Sequence, residues 1–216
     1  LINHMPELAI ADVLGSTEGG MGQSIMTKNT PPSETAKFTL LPVAKVLLPD
    51  GSREVVPGSG EVGMVAQGGM VPLGYYKDPE KSAKTFKEID GTRYAFIGDM
   101  ATIDDDGTIN LLGRGSNCIN TGGEKVFPEE VEEALKLHPE VADALVFGLE
   151  DERFGNRVAG VVSLEQGGAA EAGDILEATR KLLASYKLPK DLLVVPVVPR
   201  APNGKADYKT AKSMMA

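Results

Sequence analysis

The stretch Pro128-Glu129-Glu130-Val131-Glu132-Glu133-Ala134-Leu135 decides how the second half of this chain is read. Proline suits a first helical position, where its missing N–H costs nothing, and the two acids after it complement the positive end of a helix dipole. Val131, Ala134 and Leu135 recur at helical spacing, so the segment predicts an amphipathic helix. Val141 to Leu149 and Val158 to Leu164 are apolar runs of strand length and read as buried strands. A second helix is expected from Asp174, with Glu177 completing a capping box and Ile175, Leu176, Thr179, Leu182 and Leu183 forming its inner face. Leu192 to Val198 predicts a third strand, and a short helix follows Asp207. Helices and strands therefore alternate from residue 116 onward, as in a compact α+β domain of roughly 100 residues.

Upstream of residue 116 the pattern is different. Lys37 to Leu48, Glu61 to Ala66, Arg93 to Ala101 and Thr108 to Leu112 read as short strands, separated by turn-forming sequences at Pro49-Asp50-Gly51 and Asp104-Asp105-Asp106-Gly107. One short helix is expected from Asp78-Pro79 to Phe86, with Glu80 and Lys84 paired across a turn. The 25 Gly and 14 Pro residues fit this punctuation, with no fixed-period repeat behind them.

Composition narrows the function classes. With 42% hydrophobic and 25% charged residues the chain can bury a core. A net charge of −9 argues against a nucleic-acid coat or a polybasic membrane anchor. A single cysteine, Cys118, excludes a disulfide framework, and His4 and His138 alone make a poor metal centre. Cys118 reads as a packing thiol, and His138, at a helix end, as a partner of terminal carbonyls. Neither a membrane-spanning run nor a signal peptide is apparent, so a cytoplasmic protein is expected.

Four stretches carry candidate chemistry. Gly15-Ser16-Thr17-Glu18-Gly19-Gly20 follows an apolar run; its small residues admit a phosphate, its hydroxyls can donate to one, and Glu18 suits Mg²⁺. A plain glycine turn is the alternative. Gly98-Asp99 and Gly113-Arg114 end two predicted strands; the carboxylate could accept from a ribose diol and the guanidinium donate to the same sugar, or the two could form a surface ion pair. Asn120-Thr121-Gly122-Gly123-Glu124-Lys125 permits close backbone approach of a narrow ligand, or makes a tight hairpin. Pro199-Arg200-Ala201-Pro202-Asn203-Gly204-Lys205 is a stiffened loop presenting Lys205, in a segment (187–216) with six basic and two acidic residues. That segment is an anion site or a solvated basic tail.

Taken in order and spacing, these stretches resemble the adenylate-forming superfamily of acyl-CoA synthetases, luciferases and carrier-loading adenylation domains. Val71-Pro72-Leu73-Gly74-Tyr75, Ile119 to Lys125 and Asn203-Gly204-Lys205-Ala206-Asp207-Tyr208 are similar to fatty or sterol side-chain acyl-CoA synthetases. The resemblance implies an α+β fold: a β-rich, distorted barrel-like subdomain (residues 1–115) closing a large AMP-binding domain, then a mobile C-terminal domain (116–216). It implies activation of a small-molecule carboxylic acid, fatty or sterol side-chain, with ATP and Mg²⁺ to an acyl-adenylate, followed by transfer to coenzyme A. Gly15, Ser16 and Thr17 would bind phosphate, Glu18 would hold Mg²⁺, and Asp99 with Arg114 would hold the ribose. Lys205 would stabilise charge during adenylation, Gly122 and Gly123 would line the pantetheine path, and Ser116 would be the hinge.

Three positions depart from the family pattern: Leu14 where an aromatic residue often stacks on adenine, Ser116 where the hinge is often charged, and Tyr208 where a basic residue often stands. The phosphate-gripping loop and the acyl pocket lie upstream of the first motif in this family, and the chain starts at Leu1. The expectation is the C-terminal portion of a larger synthetase, unable to make acyl-adenylate by itself. Transfer to a carrier protein, or a non-catalytic interaction module, are the alternative functions.

Overall fold

Short strands punctuated by turns fill the first half of the computed structural model, which describes residues 2, 4–30 and 37–215. The chain divides into two units, Leu1–Leu112 and Gly113–Ala216. In the first, β1 (Ile10–Ser16) and β2 (Gly19–Met26) form a hairpin. β3 (Lys37–Leu40) and β4 (Ala44–Leu47) split the single strand expected from Lys37 to Leu48. Pro42 is the cause: it has no N–H for a ladder, and a turn forms around it with Ala44 N–H bonded to Leu41 O at 2.9 Å. β5 (Gly63–Gly68), α1 (Pro79–Thr85), β6 (Phe86–Ile89), β7 (Thr92–Ile103) and β8 (Ile109–Arg114) follow. The helix α1 forms where the sequence predicts one, and the Asp78 side chain caps it by accepting the Lys81 N–H at 3.0 Å.

The first unit's sheet runs β1-β2-β3-β8-β7-β5-β4, with β6 added beside β7. Among the described residues β1 and β4 are its ends and do not pair, so the barrel-like subdomain is an open sheet. Side chains alternate across the pleat of β5: Val65 enters a cluster with Met21, Val46 and Ile109, while neighbouring Ala66 enters another with Leu47, Tyr94 and Phe96. The centre of this sheet is therefore apolar on both faces.

The second unit begins with a 3₁₀ turn (Gly115–Asn117), β9 (Ile119–Thr121), β10 (Glu124–Val126) and α2 (Pro128–Lys136). β11 (Val141–Asp151) and β12 (Gly155–Leu164) pair antiparallel along their length, followed by α3 (Ala172–Thr179), β13 (Asp191–Val194), parallel to β12, and α4 (Tyr208–Ser213). Ala144 and Val146 of β11 pack with Val131, Leu135 and Ile175, so α2 and α3 cover one face. Leu145 and Phe147 pack with Val195, Val198 and Ala211, so α4 covers the other. The third strand stops at Val194 instead of Val198, two residues before Pro196 removes a ladder donor.

The second helix differs from its sequence reading. It begins at Ala172 with Glu171 at the cap, and no side chain completes a cap, so Asp174 lies in the first turn and the capping box is not formed. It ends at Thr179, where Leu182 N–H closes a tight turn onto Thr179 O at 2.9 Å. Leu182 consequently lies beyond the helix and is 54% exposed, while Leu183 still packs against the core. Among the described residues no helix is long and apolar enough to cross a membrane.

Leu145 is fully buried and Leu182 is not. Leu145→Ala should lower the stability of the second unit by about 2–5 kcal/mol, and Leu182→Ala by at most about 0.5 kcal/mol. Urea unfolding of the two variants checks the contrast, and equal losses would contradict the packing described.

Candidate active site

The first motif is a hairpin tip. Gly15 pairs with Gly20 and Ser16 with Gly19, after a register shift at Leu14/Gly15, so Thr17 and Glu18 are the two turn residues. Thr17 is exposed. The Ser16 hydroxyl donates to Glu18 Oε2 at 2.7 Å and accepts the Glu18 N–H at 3.1 Å. The Tyr75 hydroxyl donates to the other oxygen, Glu18 Oε1. These two hydroxyls hold the Glu18 carboxyl below its ordinary range, and the carboxylate in turn pushes the Tyr75 phenol up.

Tyr75 was legible only as part of a resembling stretch; its contact with Glu18 joins residues 57 apart in sequence and has no local signature. Lys81 stands over the Tyr75 ring at 4.2 Å, which fixes the phenol from behind. Glu18 is thus an ionised, oriented carboxylate with lone pairs to spare on both oxygens. No cluster of three or more acidic, His or Cys side chains suited to a metal occurs among the described residues. One oriented carboxylate fits the way Mg²⁺ is held beside substrate phosphates, with few protein ligands.

Asp99 owes its position to Gly98. Met64 pairs with Met100 and Ala66 with Phe96, so only Val65 lies opposite Ile97, Gly98 and Asp99, and β7 bulges there. Gly98 has φ +98°, which a side chain rarely adopts, although a Cβ there would meet no atom within 4 Å. Asp99 is 8% exposed. Gly113, before Arg114, repeats the device at the end of β8 with φ +117°, and any Cβ would strike the Glu129 carboxylate. Arg114 is exposed at the end of its strand, and its N–H reaches Glu129 Oε1 at a long 3.4 Å.

Ser116 is an exposed residue of the 3₁₀ turn. Gly122 and Gly123 form the two-residue turn between β9 and β10, with φ +59° and +90°, so the tight-hairpin reading holds. Gly122 N–H donates to Phe154 O at 3.0 Å, which ties this turn to the β11–β12 connection. Lys205 is exposed at the end of the Asn-Gly turn, and no ion pair engages it among the described residues. A cleft of about 310 Å³ beside the 3₁₀ turn is lined by Ser116, Asn117, Cys118, Asn156, Tyr208 and Lys212, among others. Cys118 is half-buried there, and burial pushes its thiol up, as suits a packing role. The His138 ring accepts the Glu140 N–H at 3.3 Å through Nδ1 instead of serving helix-terminal carbonyls, because the chain turns directly into β11.

A buried acid escaped the sequence reading. Glu132 lies on the inner side of α2, where its Oε1 accepts the Val146 N–H at 2.8 Å. Burial pushes its carboxyl up to about 7, the Val146 bond and the Arg200 charge opposing that shift. The same burial raises the Tyr208 phenol, with Glu132 and Glu129 adding to it. An amphipathic wheel places Glu132 at the edge of the polar face, so its burial shows only once β11 is packed on α2.

Residues 130–205 match the AMP-binding enzyme C-terminal domain. The chain is 46% identical over 211 residues to a 3-oxocholest-4-en-26-oate–CoA ligase of Rhodococcus rhodochrous, covering 96% of this chain and 38% of that protein. It is 44% identical over 212 residues to a medium/long-chain-fatty-acid–CoA/3-oxocholest-4-en-26-oate–CoA ligase of Mycobacterium tuberculosis, covering 98% and 39%. Apo MatB from Rhodopseudomonas palustris has a TM-score of 0.73 at 29% identity over 93% of this chain and 39% of that one. The amide bond synthetase McbA from Marinactinospora thermotolerans, at 24% identity and TM-score 0.81 over 95% and 42%, shares the fold. Residues 130–205 thus carry the AMP-binding enzyme C-terminal domain, and nearly the whole chain is similar to part of the CoA ligases. It spans under two fifths of the length of these curated relatives.

Glu132 gives the second unit a pH dependence of known sign. Its folded carboxyl titrates near 7 and its ordinary value is 4.5, so its contribution is full below 4.5 and is lost as pH rises through 7. Glu132→Gln should be relatively more stable than the parent above pH 7, by about 1–3 kcal/mol, and closer to it at pH 5. Urea midpoints at pH 5 and pH 8 measure the difference, and a pH-independent effect of the substitution would contradict the assignment.

Proposed function

We propose that this chain works as part of an AMP-forming acyl-CoA ligase. The enzyme would join a carboxylic acid, fatty or sterol side-chain, to the α-phosphate of ATP with release of pyrophosphate, then pass the acyl group to the thiol of coenzyme A with release of AMP. One observation carries this reading. The four chemistry-bearing motifs occur in order in a chain that is 44–46% identical, over nearly its whole length, to enzymes named as CoA ligases.

The residues divide the work by chemistry. Thr17, at the exposed hairpin tip with Gly15 and Ser16 beside it, donates to phosphate oxygen. Glu18, ionised and held by two hydroxyls, would hold Mg²⁺, which when bound neutralises phosphate charge. Asp99, lifted on its bulge, accepts from the ribose hydroxyls, and Arg114 supplies planar donors to the nucleotide. Lys205 brings a positive charge to the carboxylate and α-phosphate as charge develops between them in adenylation. The Gly122-Gly123 turn, bare of side chains, lies along the pantetheine in the thioester step.

Ser116 is the hinge in this reading: it is exposed in a short 3₁₀ turn close to the point where the two units divide. Residues 1–115 close the large AMP-binding domain and 116–216 form the mobile domain that brings Lys205 and then the Gly-Gly turn to the reacting atoms.

In the full-length protein Lys205→Ala should lower acid-dependent ATP–pyrophosphate exchange by about 10²-fold or more, while thioester formation from supplied acyl-adenylate is largely kept. Exchange at the parent's rate would refute the role of Lys205. Acyl transfer to a carrier protein but never to CoA would replace the acceptor named here.

A further inference from the structure

The loop that presents Lys205 is closed on itself. Arg200 and Ala206 form a bridge at its base, Ala201 N–H donates to Lys205 O at 2.8 Å, and Gly204 N–H donates to Ala201 O at 2.8 Å. Asn203 Oδ1 accepts the Lys205 N–H at 3.1 Å, and Asp207 N–H donates to Pro199 O at 3.2 Å. Residues 199–207 are therefore held together by their own hydrogen bonds. Below the loop the chain is anchored by buried Val198 before it and buried Ala211 after it. Buried Pro199 at one end of the loop, and Ala206 and Tyr208 packed against the same cluster at the other, seat its base.

One side-chain pair adds a directional tie from the exposed side of the loop to β11. Arg200 Nε donates to Asp143 Oδ2 and Nη2 to Asp143 Oδ1, both at 2.7 Å. The fork is planar and two-pronged, so it fixes direction as well as distance. Asp143 is itself held, since its Oδ1 accepts the Ala144 N–H at 2.9 Å and its backbone pairs with Ser163 directly after a register shift that skips Ala142. Arg200 keeps the Asp143 carboxyl below its ordinary range, and Glu132 faces the same guanidinium from α2, with Lys136 nearby.

We propose that Asp143 and Arg200 are positioning residues for adenylation, acting through the loop that carries Lys205. This rests on the catalytic reading of Lys205 given above. Stability does not explain the pair well: the side chains are 29% and 36% exposed, and ion pairs that open to water contribute little to folding. Position does explain it, because displacing a catalytic group by about 1 Å can cost about 10²-fold in rate. The use of arginine is informative, since lysine would keep the charge but lose the two-pronged fork.

The test uses the full-length protein with Asp143→Asn, Arg200→Lys and Lys205→Ala, each checked by its urea midpoint. Asp143→Asn and Arg200→Lys should each lower kcat for ATP–pyrophosphate exchange about 10- to 100-fold, with KM for ATP and acid changed less than about threefold. Thioester formation from supplied acyl-adenylate should stay near the parent's rate. Asp143→Glu, which keeps the carboxylate, should recover part of the loss and serves if Asp143→Asn does not fold. If Lys205→Ala loses exchange while the Asp143 and Arg200 variants keep it, the positioning role is overturned and the role of Lys205 stands. Equal losses in both half-reactions would reduce the pair to a structural contact and also overturn the proposal. Exchange unaffected by Lys205→Ala would overturn the reading on which it rests.

Discussion

The β11–β12 hairpin is apolar on both faces, covered by α2 and α3 on one side and α4 on the other. The centre of the first unit's sheet is equally dry around Val65 and Ala66. An unpaired charge placed in such a strand would cost several kcal/mol, on the order of the stability of a whole domain. The residues proposed to carry the chemistry therefore lie where the ladders are interrupted. Thr17 and Glu18 occupy a hairpin turn, Asp99 a bulge, Arg114 the end of a strand behind a left-handed glycine, and Lys205 the end of an Asn-Gly turn. The glycine-rich composition records those interruptions.

Burial and charge meet most closely around α2. Glu132 is buried enough to titrate near neutrality, yet it keeps the Val146 N–H satisfied, so the strand is tied to the helix by a group that changes charge near pH 7. Arg200 faces that same acid while its fork is committed to Asp143. The base of the Lys205 loop thus sits in a field set by two acids on separate elements. A loop hung on a side-chain fork can be well oriented without adding much to stability, which suits a part whose task is presentation.

Elements with strong local signals were readable. Pro128 with its following acids announced α2, and Asp78-Pro79 announced α1, because caps and first-turn charges act within a few residues. Lys205, Asp99 and the paired glycines could be picked out because turns and glycines mark them locally. What failed to read was governed by contacts distant in sequence or by competing local bonds. The second helix stopped at Thr179 through a tight closure that its apolar spacing, continuing to Leu183, did not reveal. Tyr75 and Asp143 each find their partner 57 residues away.

The sequence by itself determined the change from short strands to alternating helices and strands, the burial of the β11–β12 pair and the motif residues, since periodicity, turn chemistry and residue type are local properties. Tertiary structure alone decided which groups meet: Tyr75 with Glu18, Asp143 with Arg200, Glu132 with the backbone of β11. It also decided that the first unit's sheet stays open, because closure depends on which edges meet and not on any strand's own pattern. A residue's charge state and aim are set by the neighbours that folding brings, and a one-dimensional pattern does not contain them.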